Sequence, residues 1–261
     1  PVVMLLVFAL PVATRESLAF SPDAPTLVSA YTAHFVHLDI GHLTGNLLIY
    51  ALVVPATYLL SALAGYRRSF FVPFVTILLS FPFVLSALHI VLERSGRLLG
   101  FSGINMAFVG MVPLFETMYL SRLEGSVRLD HAPVLFFAGA ALIAFRVVPT
   151  GSTRTTITLC AAAVALAYAV YAWRGLNSGT ISDLVGRSGE FELAVGVVVV
   201  FFLAVVLGFP TDPTQSSGVV DVYTHFLGYA VGFVATYLVF RLDDPTSRPP
   251  PPPPPPDDQS T

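Results

Sequence analysis

Gly100-Phe101-Ser102-Gly103-Ile104-Asn105-Met106-Ala107-Phe108-Val109-Gly110 joins two kinds of sequence. A polar turn, Glu93-Arg94-Ser95-Gly96-Arg97, stands before it, and apolar residues continue after it to Leu120. A run of that length reads as a membrane-spanning helix, with a serine at its mouth. Glycines on both sides of a serine let backbone N–H groups approach whatever the hydroxyl meets, as at an oxyanion site. In a membrane helix the same glycines also serve close packing between helices. The motif therefore raises a question that the rest of the chain must answer: does anything bring a base to Ser102?

Composition places the chain outside the soluble class. Of 261 residues, 55% are hydrophobic and 11% charged, and the mean hydropathy is +0.77. The net charge of -3 leaves no nucleic-acid footprint. All the basic residues are arginines. Cys160 is the single cysteine, so no intrachain disulfide can form.

Apolar runs recur at Leu38–Leu63, Phe70–Leu92, Ser102–Leu120, Ala132–Val148, Thr155–Trp173, Phe191–Phe209 and Val220–Phe240. A further apolar stretch, Pro1–Ala13, covers only about 20 Å of a hydrocarbon core about 30 Å thick. It lacks the basic start of a signal peptide and is expected to be part of a first transmembrane helix that begins upstream. The expectation is an all-α polytopic bundle of about eight helices over residues 1–241, with Thr14–Val36 a polar and mixed connector. Pro55, Pro73 and Pro82 fall inside two of the helices, where a membrane bundle tolerates them. Residues 242–261 form a separate tail. Eight consecutive prolines, Pro249 to Pro256, favour an extended polyproline II spacer, with a proline-binding partner as the other reading.

Arginines set the orientation. With Ser102 on the outer side, the inner connectors and tail hold Arg67, Arg68, Arg122, Arg128, Arg174, Arg187, Arg241 and Arg248. The outer connectors hold Arg15, Arg94, Arg97, Arg146 and Arg154. The excess favours a cytoplasmic tail and a serine that faces outward; the membrane is expected to be the plasma membrane.

Polar side chains inside membrane helices are costly, so their positions carry functional information. His42 and Asn46 are four apart and share one face of the second helix. His37 lies about 140° around from His42 if the helix already includes it. His225 begins the last helix, and Gly228 and Gly232 put a bare face beneath it. Gly103, Ala107 and Gly110 make a similar stripe beneath Ser102. Two bare faces would let the helices approach closely enough for a Ser–His hydrogen bond, and they equally suit plain packing. Parity separates these readings. Two crossings lie between His42 and Ser102 and four between Ser102 and His225, so all three polar sites emerge on one side of the membrane.

His37-x4-His42-x3-Asn46, Gly100-x-Ser102-Gly103 and His225-x2-Gly228-x3-Gly232 resemble, in order and helix position, the motifs of rhomboid intramembrane serine proteases. The resemblance covers residues 1–241 and implies a six-helix core, here with two extra helices. It implies Ser102 as nucleophile and His225 as general base, a dyad without a carboxylate. His42, Asn46 and the Ser102 N–H would line the oxyanion hole, with His37, Gly100, Gly103, Gly228 and Gly232 in support. The imidazole would be oriented by packing, on an aromatic ring of the serine-bearing or seventh helix. Substrates would be transmembrane segments of other proteins in the bilayer, and neither metal nor cofactor would be needed. Two departures stand out. The connector after the first helix has no Trp-Arg pair, and three helices rather than one separate serine from histidine.

Other classes have less behind them. No His-Glu-x-x-His or Gly-x-Gly-Asp pattern of other intramembrane proteases occurs. His34, His37 and His42 have only Asp39 as a carboxylate at metal-ligand spacing. A rhomboid-like protein that binds transmembrane clients without cutting them would not need both Ser102 and His225. A small transporter would account for Glu116 inside a helix, yet the two halves show no inverted repeat.

Overall fold

The computed structural model describes residues 1–94, 96–177, 179–212, 214–215, 218–219 and 221–243. The proline run lies outside the described residues. The chain is an all-α polytopic helix bundle. Among the described residues seven helices are long and apolar enough to cross a membrane, as expected of a multi-pass membrane protein. They are α4 (Ile40–Leu63), α5 (Arg67–Val91), α6 (Ser102–Leu123), α7 (Pro133–Val147, extended by a 3₁₀ turn from Leu129), α8 (Ser152–Gly175), α10 (Glu190–Gly208) and α11 (Val222–Asp243). All three helical prolines named above lie within continuous helices.

The first apolar stretch is helical over fewer residues than its hydropathy suggests. It folds as α1 (Val2–Phe8), whose seven residues cover only about 10 Å. Pro11 explains the stop: it lacks an N–H and biases Leu10 away from helical dihedrals. The connector expected at Thr14–Val36 also holds structure, in α2 (Val12–Leu18), α3 (Leu27–Thr32) and a 3₁₀ turn at Ala33–Phe35. Thr26 and Ser29 close a reciprocal capping box at the start of α3. The short α9 (Thr180–Val185) precedes α10, and a two-residue antiparallel pair, Thr214–Gln215 with Gly218–Val219, precedes α11.

α6 is the axis of the bundle. It is buried from Gly103 to Thr117 without a break and packs on α4, α5, α10 and α11. Small residues decide which neighbour comes closest. A Cβ on Gly228 would overlap the carbonyl oxygen of Gly103, one on Gly232 that of Ala107, and one on Gly110 that of Tyr229. The order of these contacts makes α6 and α11 parallel and places their N-termini at one end. α8 buries none of its residues and rests mainly on α7, so these two form a hairpin at the edge.

The segment between α1 and α4 folds over the start of α6. Phe20 and Leu98 exchange both backbone hydrogen bonds, at 3.0 and 2.9 Å, and Gly100 N–H donates to the Ala33 carbonyl at 3.0 Å. Buried Phe20, Ala30, Ala33 and Leu98 make a small apolar cluster there. Together they fix the loop that delivers Ser102.

Candidate active site

Ser102 is the first residue of α6 and is half-buried. The first intrahelical bond runs from Asn105 N–H to the Phe101 carbonyl at 2.9 Å. The N–H groups of Ser102, Gly103 and Ile104 therefore have no acceptor within the helix and point toward its mouth. Gly100 makes this entry possible. Its φ of +104° is a left-handed value that side chains rarely adopt, and a Cβ there would stand 2.5 Å from His42 Cε1 and 2.8 Å from Nε2. The His42 ring thus lies against the backbone two residues before the serine.

His225 sits in the first turn of α11, buried, with its N–H bonded to the Asp221 carbonyl. Its Nδ1 lies 2.7 Å from the Gly208 carbonyl oxygen at the end of α10. A carbonyl can only accept, so Nδ1–H donates and Nε2 is left as a lone-pair base. Phe209 holds the imidazole edge-to-face, with ring centroids 5.9 Å apart. The ring is thus steered by a helix-end carbonyl and an aromatic neighbour at the end of α10, the run expected at Phe191–Phe209. One residue on either side, Gly103 and Thr224 touch: a Cβ on Gly103 would lie 3.1 Å from Thr224 Cγ2. Ser102 and His225 are therefore each next to a residue at which α6 and α11 touch.

α4 brings the rest. Asp39 caps it by accepting from His42 N–H at 3.0 Å. His37 lies before the helix, so the helical angle between it and His42 does not apply, and the two rings meet at 4.9 Å. His37 Nδ1–H donates to the Phe35 carbonyl at 3.2 Å and Nε2 accepts from Phe101 N–H at 3.5 Å. Buried Arg15 holds the His37 carbonyl through a 2.6 Å bond. Asn46 donates to the His42 carbonyl at 3.0 Å and accepts from Asn105 at 3.0 Å. His34 turns the other way, onto the Pro82 carbonyl and Ser86 of α5. Among the described residues no group of His, Cys, Asp or Glu side chains is arranged to hold a metal ion.

Sequence reading passed over three participants. Asn105 could have been found, as an amide three residues after Ser102 in an apolar run. Asp221 could not: its carboxylate caps α11 through Thr224 at 3.1 and 2.7 Å, with Arg94 3.5 Å away. Burial pushes this carboxyl up, but the Thr224 bonds and Arg94 outweigh it and hold it below the usual range. The Gly208 carbonyl carries no side-chain signal.

His34 and His37 predict acid lability. Burial holds both at about 4, against an ordinary 6.5, and His42 adds to the effect at His37. In the unfolded chain they bind protons as the pH falls through 6.5, whereas in the fold they resist until about 4. Their stabilisation is complete above pH 6.5 and declines toward pH 4, by about 1.4 kcal/mol per unit of displacement for each. Thermal unfolding in detergent should show Tm falling across that window, and His37→Gln should flatten the slope. An unchanged slope would mean that His37 is hydrated in the fold.

No family model, curated protein or solved structure matches the chain. The functional reading therefore rests on the residues and their geometry.

Proposed function

We propose that the protein is an intramembrane serine endopeptidase of rhomboid type that cuts transmembrane segments of other membrane proteins. The observation that carries this reading is the state of His225. Its Nδ1 proton is committed to Gly208, its Nε2 is free, and its helix is in backbone contact with the helix that starts at Ser102. Chemistry of this kind needs a base in that tautomer beside a hydroxyl at a helix mouth.

Ser102 Oγ attacks the scissile carbonyl carbon while its proton passes to His225 Nε2. The C–O bond forms and the carbonyl electron pair moves onto oxygen. That oxyanion is met by the Ser102 N–H, His42 and the Asn46 amide. Collapse breaks the C–N bond as the imidazolium returns its proton to the leaving amine. Water then attacks the acyl-enzyme with His225 again the base, releasing the acid and regenerating Ser102. Gly208 takes the orienting place that a carboxylate holds in a triad, and as a neutral acceptor it fixes the ring without adding charge.

The rhomboid pattern asks for one helix between serine and histidine. α10 fills that position, because it packs on α4 and α6 and supplies Gly208 and Phe209, while α7 and α8 are an added edge hairpin. The site opens on the outer face of the plasma membrane, with the proline tail in the cytoplasm.

A fluorophosphonate probe tests the reading on the full chain in detergent. It should label the wild type on Ser102, and Ser102→Ala should neither label nor cleave a model transmembrane substrate in liposomes. Equal labelling of the variant would overturn the assignment. A wild type that binds the substrate without labelling or cutting would favour the client-binding alternative.

A further inference from the structure

Resting on that reading, we infer that Asn105 is a positioning residue for the oxyanion site, fixing which end of the Asn46 amide faces the reacting carbonyl. Both side chains are buried, at 1% and 3% exposure, where an amide that flips would leave a polar atom unpaired. Asn105 Nδ2 donates to the Asn46 backbone carbonyl at 2.9 Å and to Asn46 Oδ1 at 3.0 Å. Were Asn105 turned over, its oxygen would face two other oxygens. Its orientation is therefore set by chemistry, and its own Oδ1 is left buried without a partner.

That unpaired oxygen is the cost the fold accepts for the arrangement. Asn46 Oδ1 is drawn toward α6, so its Nδ2 must lie on the other side, where one hydrogen goes to the His42 carbonyl at 3.0 Å. The second hydrogen has no protein acceptor among the described residues and remains for a ligand. The geometry also explains the spacing. Asn105 is one helical turn below Ser102, and Asn46 is one turn below His42, so the amide pair forms the floor under the nucleophile.

The test is a kinetic double-mutant cycle in liposomes with a transmembrane substrate. Asn105→Leu removes the bonds with similar volume, and Asn105→Asp retains the shape but offers oxygen where Asn46 Oδ1 needs a donor. Each should lower kcat by about 10–100-fold with KM unchanged, somewhat less than the 10²–10³ of a lost oxyanion donor. Asn46→Ala with Asn105→Leu should lose no more than Asn46→Ala alone, because one residue acts through the other. Fluorophosphonate labelling and Tm of each variant report whether the fold survives. Additive losses, or a Asn105→Leu enzyme with wild-type kcat, would overturn the inference while leaving Ser102 and His225 in place. A wild type without Ser102-dependent labelling would remove the site itself.

Discussion

His225→Ala is expected to lower cleavage of a transmembrane substrate by about 10⁴-fold or more, with the helix bundle intact. The loss is large because Ser102 has no other base within its own helix end. A serine hydroxyl is a weak nucleophile until its proton has somewhere to go. The Gly208 carbonyl makes the expectation more specific than removal of a nearby imidazole. By accepting a hydrogen bond from Nδ1–H at 2.7 Å it leaves Nε2 as the only basic atom of the ring. His225→Gln, whose amide could still donate to Gly208, should be as inactive as alanine, because its other end is no base. Fluorophosphonate labelling should collapse in parallel with cleavage, while circular dichroism and Tm change little. A variant that keeps more than a hundredth of the wild-type rate would show that another group takes the serine proton.

The spans were legible because membrane crossing is written in single residues. Each apolar run from Leu38 onward corresponds to a helix displaced by no more than a few residues at either end. Parity was legible for the same reason, since an even number of crossings survives errors in boundaries. The end of the first helix was not legible, because hydropathy does not register where a helix stops. Pro11 and the folding of Val12–Leu18 decide that, through backbone geometry that an apolar average ignores.

The site divides along the same line. Side chains that must face each other leave a trace in spacing, as with His42 and Asn46 on one face, or Gly228 and Gly232 under His225. Groups that act through the backbone leave none. Nothing in the sequence distinguishes the carbonyl of Gly208 from its neighbours, yet it selects the tautomer of His225. The pairing of His37 with His42 was not legible, because the helical angle between them holds only if the helix includes His37. The helix begins at Ile40, after the Asp39 cap, and the extended residues before it let the rings meet.

Gly228→Ala should impair cleavage strongly, because it wedges apart the helices that carry Ser102 and His225. The added carbon would overlap the Gly103 carbonyl oxygen and stand 3.0 Å from its carbon and 3.4 Å from the Ala107 nitrogen. These are backbone atoms of a helix, so no rotamer change relieves the contact, and α6 and α11 must move apart. Overpacking of this kind costs about 1–3 kcal/mol in a well-packed core. The effect on chemistry should be greater than the effect on stability. His225 is one turn from the wedge on α11 and Ser102 is one residue from it on α6, so the separation falls on the distance between the proposed base and nucleophile. A misplacement near 1 Å is enough for about a 10²-fold loss of rate. The expected result is kcat reduced by about that factor with substrate affinity retained. Gly196→Ala on α10 is the matched control, because a Cβ there meets nothing within 4 Å. It should keep full activity and gain slightly in stability from helix propensity. Wild-type kcat in Gly228→Ala would mean that the two helices do not meet along this face in the working protein.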